Sequence, residues 1–423
     1  MFKKLDSIAF SICAILLALL PFHAFLFTWF HSFFWQESWV IVVQAWKEVL
    51  VGILAVFAIV KLIQTRQAPC SKSFWIGTVF VVLAVLYALF DSGELIQRVF
   101  GLRTAVIFLI AFLSIQFFDF GGARTEKLKK IVLISSGIVI AFALLQKFIL
   151  PADFLANFGY STNVSSWLPG GNLPIYHTVG DSGTIRAQST FAGPNQLGAY
   201  LLVILPLAFV AFRKEKKFFK YLAAMIFIGG AITLALTFSR SAWVGAFAML
   251  LALAVSLWRQ GLPRKLKRKL AIGGVIGIIV VTGATIFQPS FREIFLRQAS
   301  TSEHLARSVE AAKVVLVNPL GLGLGQSAGV SQRFDPETHT GITPENTYLG
   351  TAIELGWLGG ILLLALIFTL LRELAATKNP LFYSLLGIAV VALFLHPLED
   401  TPTALTLFLL AGVMLQPPLK TNS

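Results

Sequence analysis

The chain has 423 residues with a mean hydropathy of +0.80; 57% of them are hydrophobic and only 13% are charged. A soluble domain of this size carries about a quarter charged residues, so the composition excludes an ordinary soluble protein. Long continuous apolar runs also exclude a membrane β-barrel, whose strands show short alternating patterns. The sequence therefore predicts an all-α polytopic membrane protein.

Apolar runs between polar breaks predict about twelve transmembrane helices. Only Ser239, Arg240 and Ser241 separate the seventh run from the eighth, so a single long helix at this point would reduce the count to eleven. No internal repeat or separate soluble domain is visible, and residues 1–423 are interpreted as one transmembrane domain. The predicted spans are 8–30, 39–63, 74–90, 102–120, 131–150, 193–212, 218–238, 241–258, 270–287, 347–371, 380–396 and 402–416.

The formal net charge of +14 is distributed unevenly, because basic residues cluster in every second loop. This alternation follows the positive-inside rule and predicts that both termini are cytoplasmic. The basic loops are interpreted as contacts for anionic membrane lipids, and nucleic acid is not expected as a partner. Cys13 and Cys70 give no signal for a disulfide or a metal site.

With this orientation, residues 151–192 and 288–347 form two long extracytoplasmic loops, and loops of this length are usually functional. The second loop contains a predicted helix, Ser302–Val317, whose apolar residues recur at helical spacing while Arg307 lies off that stripe. A glycine-rich run beginning at Gly321 follows. Its role is conformational, or its backbone N–H groups contact a phosphate.

Three arginines, Arg186, Arg240 and Arg307, lie on the predicted outer face, which has few other basic residues. An arginine fork matches the oxygens of a phosphate or diphosphate. Asn195 begins a span close to Arg186 and is a further candidate for substrate binding. Each arginine alone could be solvated or could snorkel to the interface, but together they are suited to the head group of a polyprenyl diphosphate.

Glu345 and His339 are the candidate general bases, and Asn346 beside Glu345 is a candidate substrate contact. Glu345 could accept a proton from a sugar hydroxyl, or it could be a carboxylate at the N-cap or in the first turn of a helix. Other polar residues have separate interpretations. Glu354 is expected to face the bundle interior, Lys47–Glu48 to form an internal pair or a kink, and His396, Glu399 and Asp400 to be solvated or to rim the site.

The sequence resembles the O-antigen ligase and polymerase superfamily of bacterial membrane glycosyltransferases. Four blocks in the family's order carry the resemblance, and they extend from about Arg186 to Gly359. They are RAQSTFAGPNQLGAYL from Arg186, TFSRSAWVG from Thr237, Arg307 followed by NPLGLGLG from Asn318, and ENTYLGTAIELGWLG from Glu345.

The resemblance implies a GT-C-like fold in the bacterial inner membrane with an extracytoplasmic active site. It implies transfer of a glycan from an undecaprenyl-diphosphate carrier to an acceptor hydroxyl, without a metal or another cofactor. Family arginines that bind the diphosphate correspond to Arg240 and Arg307. The family's ligases usually carry histidine where this chain has Glu345, which weakens a ligase assignment relative to a polymerase.

The acceptor stays open at this point. Lipid A-core sugar would make the protein a ligase, another glycan chain would make it a polymerase, and a protein hydroxyl would make it an O-oligosaccharyltransferase. A lipid-linked glycan transporter or flippase is the alternative from a different class, and its binding site would lie near the middle of the membrane.

Overall fold

The structure is a computed structural model and describes residues 2–33, 37–91, 93–162, 172–179, 183–259, 298–327, 330 and 344–416. Within these residues the chain is helical, with no β-strand. The α-helices are α1 (Phe2–Leu19), α2 (His23–Phe33), α3 (Glu37–Thr65), α4 (Lys72–Phe90), α5 (Leu95–Ile115), α6 (Gly121–Phe148), α7 (Pro194–Lys214), α8 (Lys217–Leu236), α9 (Arg240–Arg259), α10 (Gln298–Val317), α11 (Thr347–Ala376), α12 (Leu381–Val391) and α13 (Thr401–Met414).

Among the described residues, eight helical segments are long and apolar enough to cross a membrane, the first of them combining α1 and α2. Shorter apolar helices correspond to most of α9 and to α12 and α13. Eleven of the predicted spans therefore coincide with apolar helices, as expected for a polytopic membrane protein. The ninth predicted span, 270–287, lies outside the described residues, so the total of twelve stays a prediction.

The centre of the bundle is formed by α7 and α13. The first two thirds of α7 and nearly all of α13 are buried on every side, which is the pattern of a helix enclosed by others. Hydroxyl groups link neighbouring helices within this core. Tyr200 Oη and Ser136 Oγ are 2.9 Å apart, and Ser384 Oγ donates to the Val203 carbonyl at 3.0 Å.

Close packing of α9 against α12 depends on small residues. A Cβ atom on Gly245 would lie 2.8 Å from the carbonyl oxygen of Gly387, so glycine is required for the two backbones to approach this closely. The two helices are antiparallel, since Gly245 lies next to Val391 at the end of α12, whereas Met249, four residues further along α9, lies next to the earlier Gly387. The start of α9 and the end of α12 therefore lie at the same end of the bundle, which we call the Arg240 end.

The predicted Lys47–Glu48 pair is present inside the bundle and is part of a larger polar cluster. Lys47 is 1% exposed, and its Nζ lies 2.9 Å from Nε2 of His23 and 3.3 Å from Glu48. Glu48 also accepts a hydrogen bond from Nε of Arg103 at 2.6 Å. These contacts connect α2, α3 and α5 through charges that would be costly in lipid without partners.

Helix α11 is broken at Gly356, where φ is +68° and ψ is −173°. The glycine-rich segment after α10 packs against this break and replaces the lost helical hydrogen bonds. Leu322 and Gly323 donate to the carbonyl groups of Ile353 and Glu354 at 2.6 and 3.2 Å, and Trp357 donates to that of Pro319 at 2.9 Å. Irregular backbone at membrane depth is stable only when other protein groups satisfy it in this way.

The same hydrogen bonds explain the glycine-rich run. Gly321, Gly323 and Gly325 all have positive φ angles, and a Cβ on Gly321 would lie 2.5 Å from the backbone nitrogen of Gly356. The N–H groups of Gly321, Leu322 and Gly323 donate to backbone carbonyl groups, and the N–H of Gly325 donates to the Glu354 carboxylate. Between the two roles predicted for this run, the structure therefore supports the conformational one.

Candidate active site

Arg186 holds the loop before α7 against the end of α8. Its Nε donates to the carbonyl of Thr237 at 2.7 Å, and its Nη2 donates to Oδ1 of Asn195 at 2.7 Å. The neighbouring backbone N–H of Ala187 donates to the Leu236 carbonyl at 2.9 Å. The guanidinium fork thus fixes two helix ends at once, so it contributes to the position of the turn that follows α8.

The turn between α8 and α9 is as short as the sequence predicts, and Arg240 is the first residue of α9. Thr237 Oγ1 accepts a hydrogen bond from the Ser239 N–H at 3.2 Å and donates to the Leu234 carbonyl at 2.7 Å. Phe238 has a φ of +48°, a strained value for an aromatic residue. This geometry places Arg240, half-buried, at the N-terminus of its helix and three residues from the carbonyl that Arg186 binds.

His177 is a titratable group that contacts Arg186 in the described part of the first long loop. Its carbonyl accepts the Arg186 backbone N–H at 2.8 Å, and its ring lies beside Gly193, just before α7. Desolvation by burial, together with the nearby Arg186 charge, lowers the pKa of His177 to about 4. The imidazole is therefore neutral at physiological pH.

Arg307 and Glu345 form an ion pair at the start of α11. Their Nη1 and Oε1 atoms are 3.6 Å apart, and the two side chains are 39% and 27% exposed. Arg307 is partly buried and lies one helical turn before the buried Ala311, whereas Leu305 and Val309 of the predicted apolar stripe are exposed. The stripe consequently faces outward, and Arg307 lies on the other side of α10.

Asn346 is the N-cap of α11. Its Oδ1 accepts hydrogen bonds from the N–H groups of Tyr348 and Leu349 at 2.9 and 3.1 Å. Glu345 precedes the cap, so the alternative in which Glu345 itself is the N-cap or a first-turn carboxylate is wrong. The capping role belongs to Asn346, which leaves Glu345 in the connection between the second long loop and the helix.

The start of α11 is bound to the end of α12. Thr347 donates from its backbone N–H to the Ala392 carbonyl and from Oγ1 to the Leu395 carbonyl, both at 2.9 Å. Tyr348 Oη donates to the Ala389 carbonyl at 2.9 Å. Because α9 also packs on α12, the helices that begin near Arg240 and Glu345 share one neighbour at the Arg240 end.

The connection between α12 and α13 is more buried than expected. His396 Nε2 is buried and has no hydrogen-bond partner among the described residues, and it lies 3.7 Å from where a Cβ on Gly350 would be. Burial raises the pKa of Glu399 to about 7 and that of Asp400 to about 6. His396, Glu399 and Asp400 are each partly buried rather than fully solvated, because the connection folds back onto α11 and α13.

Glu354 faces the bundle interior, as predicted. It is 9% exposed, and its Oε1 accepts hydrogen bonds from the Ser327 N–H at 3.2 Å and from Ser327 Oγ at 3.0 Å. Beside it is a cavity of about 40 Å³ that Thr104, Thr347 and Glu399 also line. Glu354 thereby anchors the end of the glycine-rich segment, and it lies nine residues, about two and a half helical turns, after Glu345.

His339 lies outside the described residues. In the described part of the chain, no group of three or more His, Cys, Asp or Glu side chains is arranged to hold a metal ion.

Residues 223–364 match a family model described as O-antigen ligase. This match assigns residues 223–364 to the O-antigen ligase superfamily. A comparison with curated proteins finds no match. The matched segment contains Arg240, Arg307, Glu345 and Asn346, whereas Arg186 and Asn195 precede it. Together with the apolar helices, this domain supports a membrane glycosyltransferase of the O-antigen ligase or polymerase type.

Some groups around the site were absent from the sequence prediction. Thr237 acts through its backbone carbonyl, which every residue has, so nothing in the sequence marks it. Gln146, Lys147 and Gln188 line a cavity next to Arg186. Their only signal is their position in the sequence. Gln146 and Lys147 lie at the end of a long apolar helix, and Gln188 lies two residues after the candidate Arg186.

Proposed function

We propose that this protein transfers a glycan from an undecaprenyl-diphosphate carrier to an acceptor hydroxyl on the extracytoplasmic side of the bacterial inner membrane. The reaction is metal-independent. The observation that carries the proposal is the Arg307–Glu345 pair at the start of α11, inside the segment that matches the O-antigen ligase family. Arg307 is suited to bind an anionic leaving group, and Glu345 is suited to accept the proton of the acceptor hydroxyl.

In the proposed reaction, Glu345 accepts the proton of the acceptor hydroxyl as its oxygen attacks the anomeric carbon of the donor. The bond between that carbon and the carrier diphosphate breaks, and the diphosphate leaves with the bonding electrons. Arg307 and Arg240 stabilise the charge that develops on the leaving group. At 3.6 Å the Arg307–Glu345 contact is longer than a hydrogen bond.

Arg186 and Asn195 act as substrate-binding residues in this proposal. Arg186 donates hydrogen bonds to the Asn195 side chain and to the Thr237 carbonyl. The support for their role is therefore positional: they fix the turn that presents Arg240. Asn346 supports Glu345 in the same way by capping the helix that follows.

The concentration of charged site residues at one end of the bundle favours an enzyme over a lipid-linked glycan transporter, whose site would lie at mid-membrane. Glycan, lipid A-core and protein hydroxyl groups all fit the proposed chemistry as acceptors. Both termini are placed in the cytoplasm by the positive-inside pattern, which assigns the Arg240 end to the extracytoplasmic side.

The test uses the purified full-length protein with undecaprenyl-diphosphate glycan and a hydroxyl acceptor, and it measures the released carrier. We expect release in the native protein and none in Glu345→Gln. Lys129→Gln is the matched control, because Lys129 pairs with Glu126 at the other end of the bundle. Movement of the donor across vesicles without carrier release would identify a transporter and refute the proposal.

A further inference from the structure

A cavity of about 140 Å³ lies next to Arg186, between the end of α6 and the loop that precedes α7. Apolar and small residues form most of its wall, and four polar side chains contribute the rest. The four are Gln146, Lys147, Arg186 and Gln188. No carboxylate is among the described residues that line it; Asp153 lies between two lining residues in sequence, but it is exposed.

Two amide oxygens at this cavity receive no hydrogen bond from the described residues. Oε1 of Gln146 and Oε1 of Gln188 are both buried without a partner among the described residues. Gln188 is only 3% exposed, and its Nε2 donates to the Pro174 carbonyl at 3.3 Å. A buried carbonyl oxygen without a donor costs free energy. The terminal torsion of glutamine is soft, so each amide can adjust its orientation to a donor that enters the cavity.

Lys147 supplies a positive charge at the same place. Its Nζ donates to the Ile185 carbonyl at 2.7 Å. It forms no ion pair with a carboxylate in the part of the chain that the structure describes. An ammonium group has three N–H donors, so the carbonyl bond accounts for one of them.

The cavity also connects to the proposed active site. Arg186, which lines it, donates to the Thr237 carbonyl three residues before Arg240. A molecule held against Lys147 and Gln188 therefore lies beside the segment that positions Arg240. This arrangement fits a part of the substrate that extends away from the reacting bond.

We propose that this cavity binds a negatively charged sugar residue of the glycan, with Lys147 contacting its carboxylate or phosphate and Gln146 and Gln188 accepting hydrogen bonds from its hydroxyl groups. The inference rests on the proposed function for the presence of a glycan. Sugar hydroxyls supply the donors that the two amide oxygens lack. A simple inorganic anion supplies none of these O–H groups in the same arrangement, and an acyl chain satisfies neither the amides nor the ammonium.

The test measures direct binding of glucuronate and glucose to the purified full-length protein in lipid nanodiscs by saturation-transfer NMR. The two probes share the same ring, and only glucuronate carries a carboxylate. We expect glucuronate to bind about tenfold more tightly, the effect of one charge-assisted hydrogen bond. Lys147→Gln should remove this preference, and Lys147→Arg should retain it. Gln188→Leu should weaken the binding of both probes and leave the ratio of their affinities unchanged.

Thermal unfolding of each variant shows whether the loop is intact, and Lys147→Arg serves as the folded reference if Lys147→Gln unfolds early. Equal binding of glucuronate and glucose to the native protein would overturn the inference. Displacement of glucuronate by an equal concentration of inorganic phosphate would also overturn it, because the site would then be one for small anions.

The binding test does not depend on catalysis. Carrier release that depends on Glu345, without any preference for glucuronate, would refute only the sugar site. A glucuronate preference that depends on Lys147, in a protein that releases no carrier from any donor, would refute only the transfer reaction.

Discussion

The charged groups of Arg307 and Glu345 lie 3.6 Å apart although one belongs to α10 and the other to the residue before the cap of α11. In the sequence the long loop separates these two residues. Their pairing brings together a cation that is suited to bind a diphosphate and a carboxylate that is suited to accept a proton. Both residues lie in the segment that matches the O-antigen ligase family. The pair is therefore where mutations should separate donor binding from catalysis.

Glu345→Gln should abolish glycan transfer while donor binding stays nearly unchanged, because the amide keeps the shape of the side chain but cannot accept a proton. Glu345→His should retain part of the activity, since imidazole is also a base. The measurements are carrier release and equilibrium binding of the undecaprenyl-diphosphate glycan. Full activity of Glu345→Gln together with an inactive His339→Ala would assign the base to His339.

Arg240→Lys should lower the transfer rate about a hundredfold or more, because the charge is kept but the bidentate fork is lost. The rate of carrier release at saturating acceptor measures this effect. Arg372→Lys is a suitable control, since Arg372 lies near the far end of α11, over the Phe368 ring. An Arg240→Lys protein as active as the control would exclude a fork contact with the diphosphate.

Arg186 and Asn195 should show a coupling free energy of about 1–3 kcal/mol in a double-mutant cycle for thermal stability, since their 2.7 Å contact is a charge-assisted hydrogen bond. The cycle compares Arg186→Lys, Asn195→Ala and the double variant. Additive effects of the two substitutions would mean that the contact contributes nothing measurable to the fold.

His177 should make the protein less stable as the pH falls. Its pKa is lowered to about 4 in the folded protein from an ordinary value of 6.5, so the unfolded chain binds the proton first. The stabilisation is complete above pH 6.5 and is lost as the pH falls toward 4. His177→Asn should therefore lower the slope of melting temperature against pH in this window. Identical slopes for the two proteins would contradict the prediction.

The orientation of the protein in the membrane can be tested with its two native cysteines. Cys70 is exposed in the connection between α3 and α4, and Cys13 is buried in α1. A membrane-impermeant maleimide should label one site, Cys70, and only after the cytoplasmic face is made accessible. Labelling of Cys70 in intact cells would invert the topology and place the Arg240 end in the cytoplasm.

The positions of the helices could be predicted from the sequence because apolar length depends mainly on the thickness of the bilayer. Arg307 and Glu345 were also singled out in the sequence, from their residue types and their place on the predicted outer face, and the resemblance to the family adds to this for Arg307. Their contact was not predicted, because it depends on how α10 and the following segment fold back onto α11. The burial of His396 was missed for the same reason, since a polar residue at a helix end looks equally suited to solvent.

The break at Gly356 also could not be predicted. Glycine is common inside transmembrane helices, and nothing near Gly356 shows that it adopts a positive φ. The break becomes understandable only with its partner segment, whose Leu322 and Gly323 bind the carbonyl groups of Ile353 and Glu354.

This interlocking of the glycine-rich segment with α11 also sets an order of events during synthesis. The donors at Leu322 and Gly323 leave the ribosome before their acceptors, Ile353 and Glu354, have been made. The segment after α10 must therefore wait until α11 has been translated and inserted before it can take its final place. The two sides of the candidate active site mature together, late in the insertion of the chain, and an arrest of translation before α11 would leave Arg307 without the helix that brings Glu345 to it.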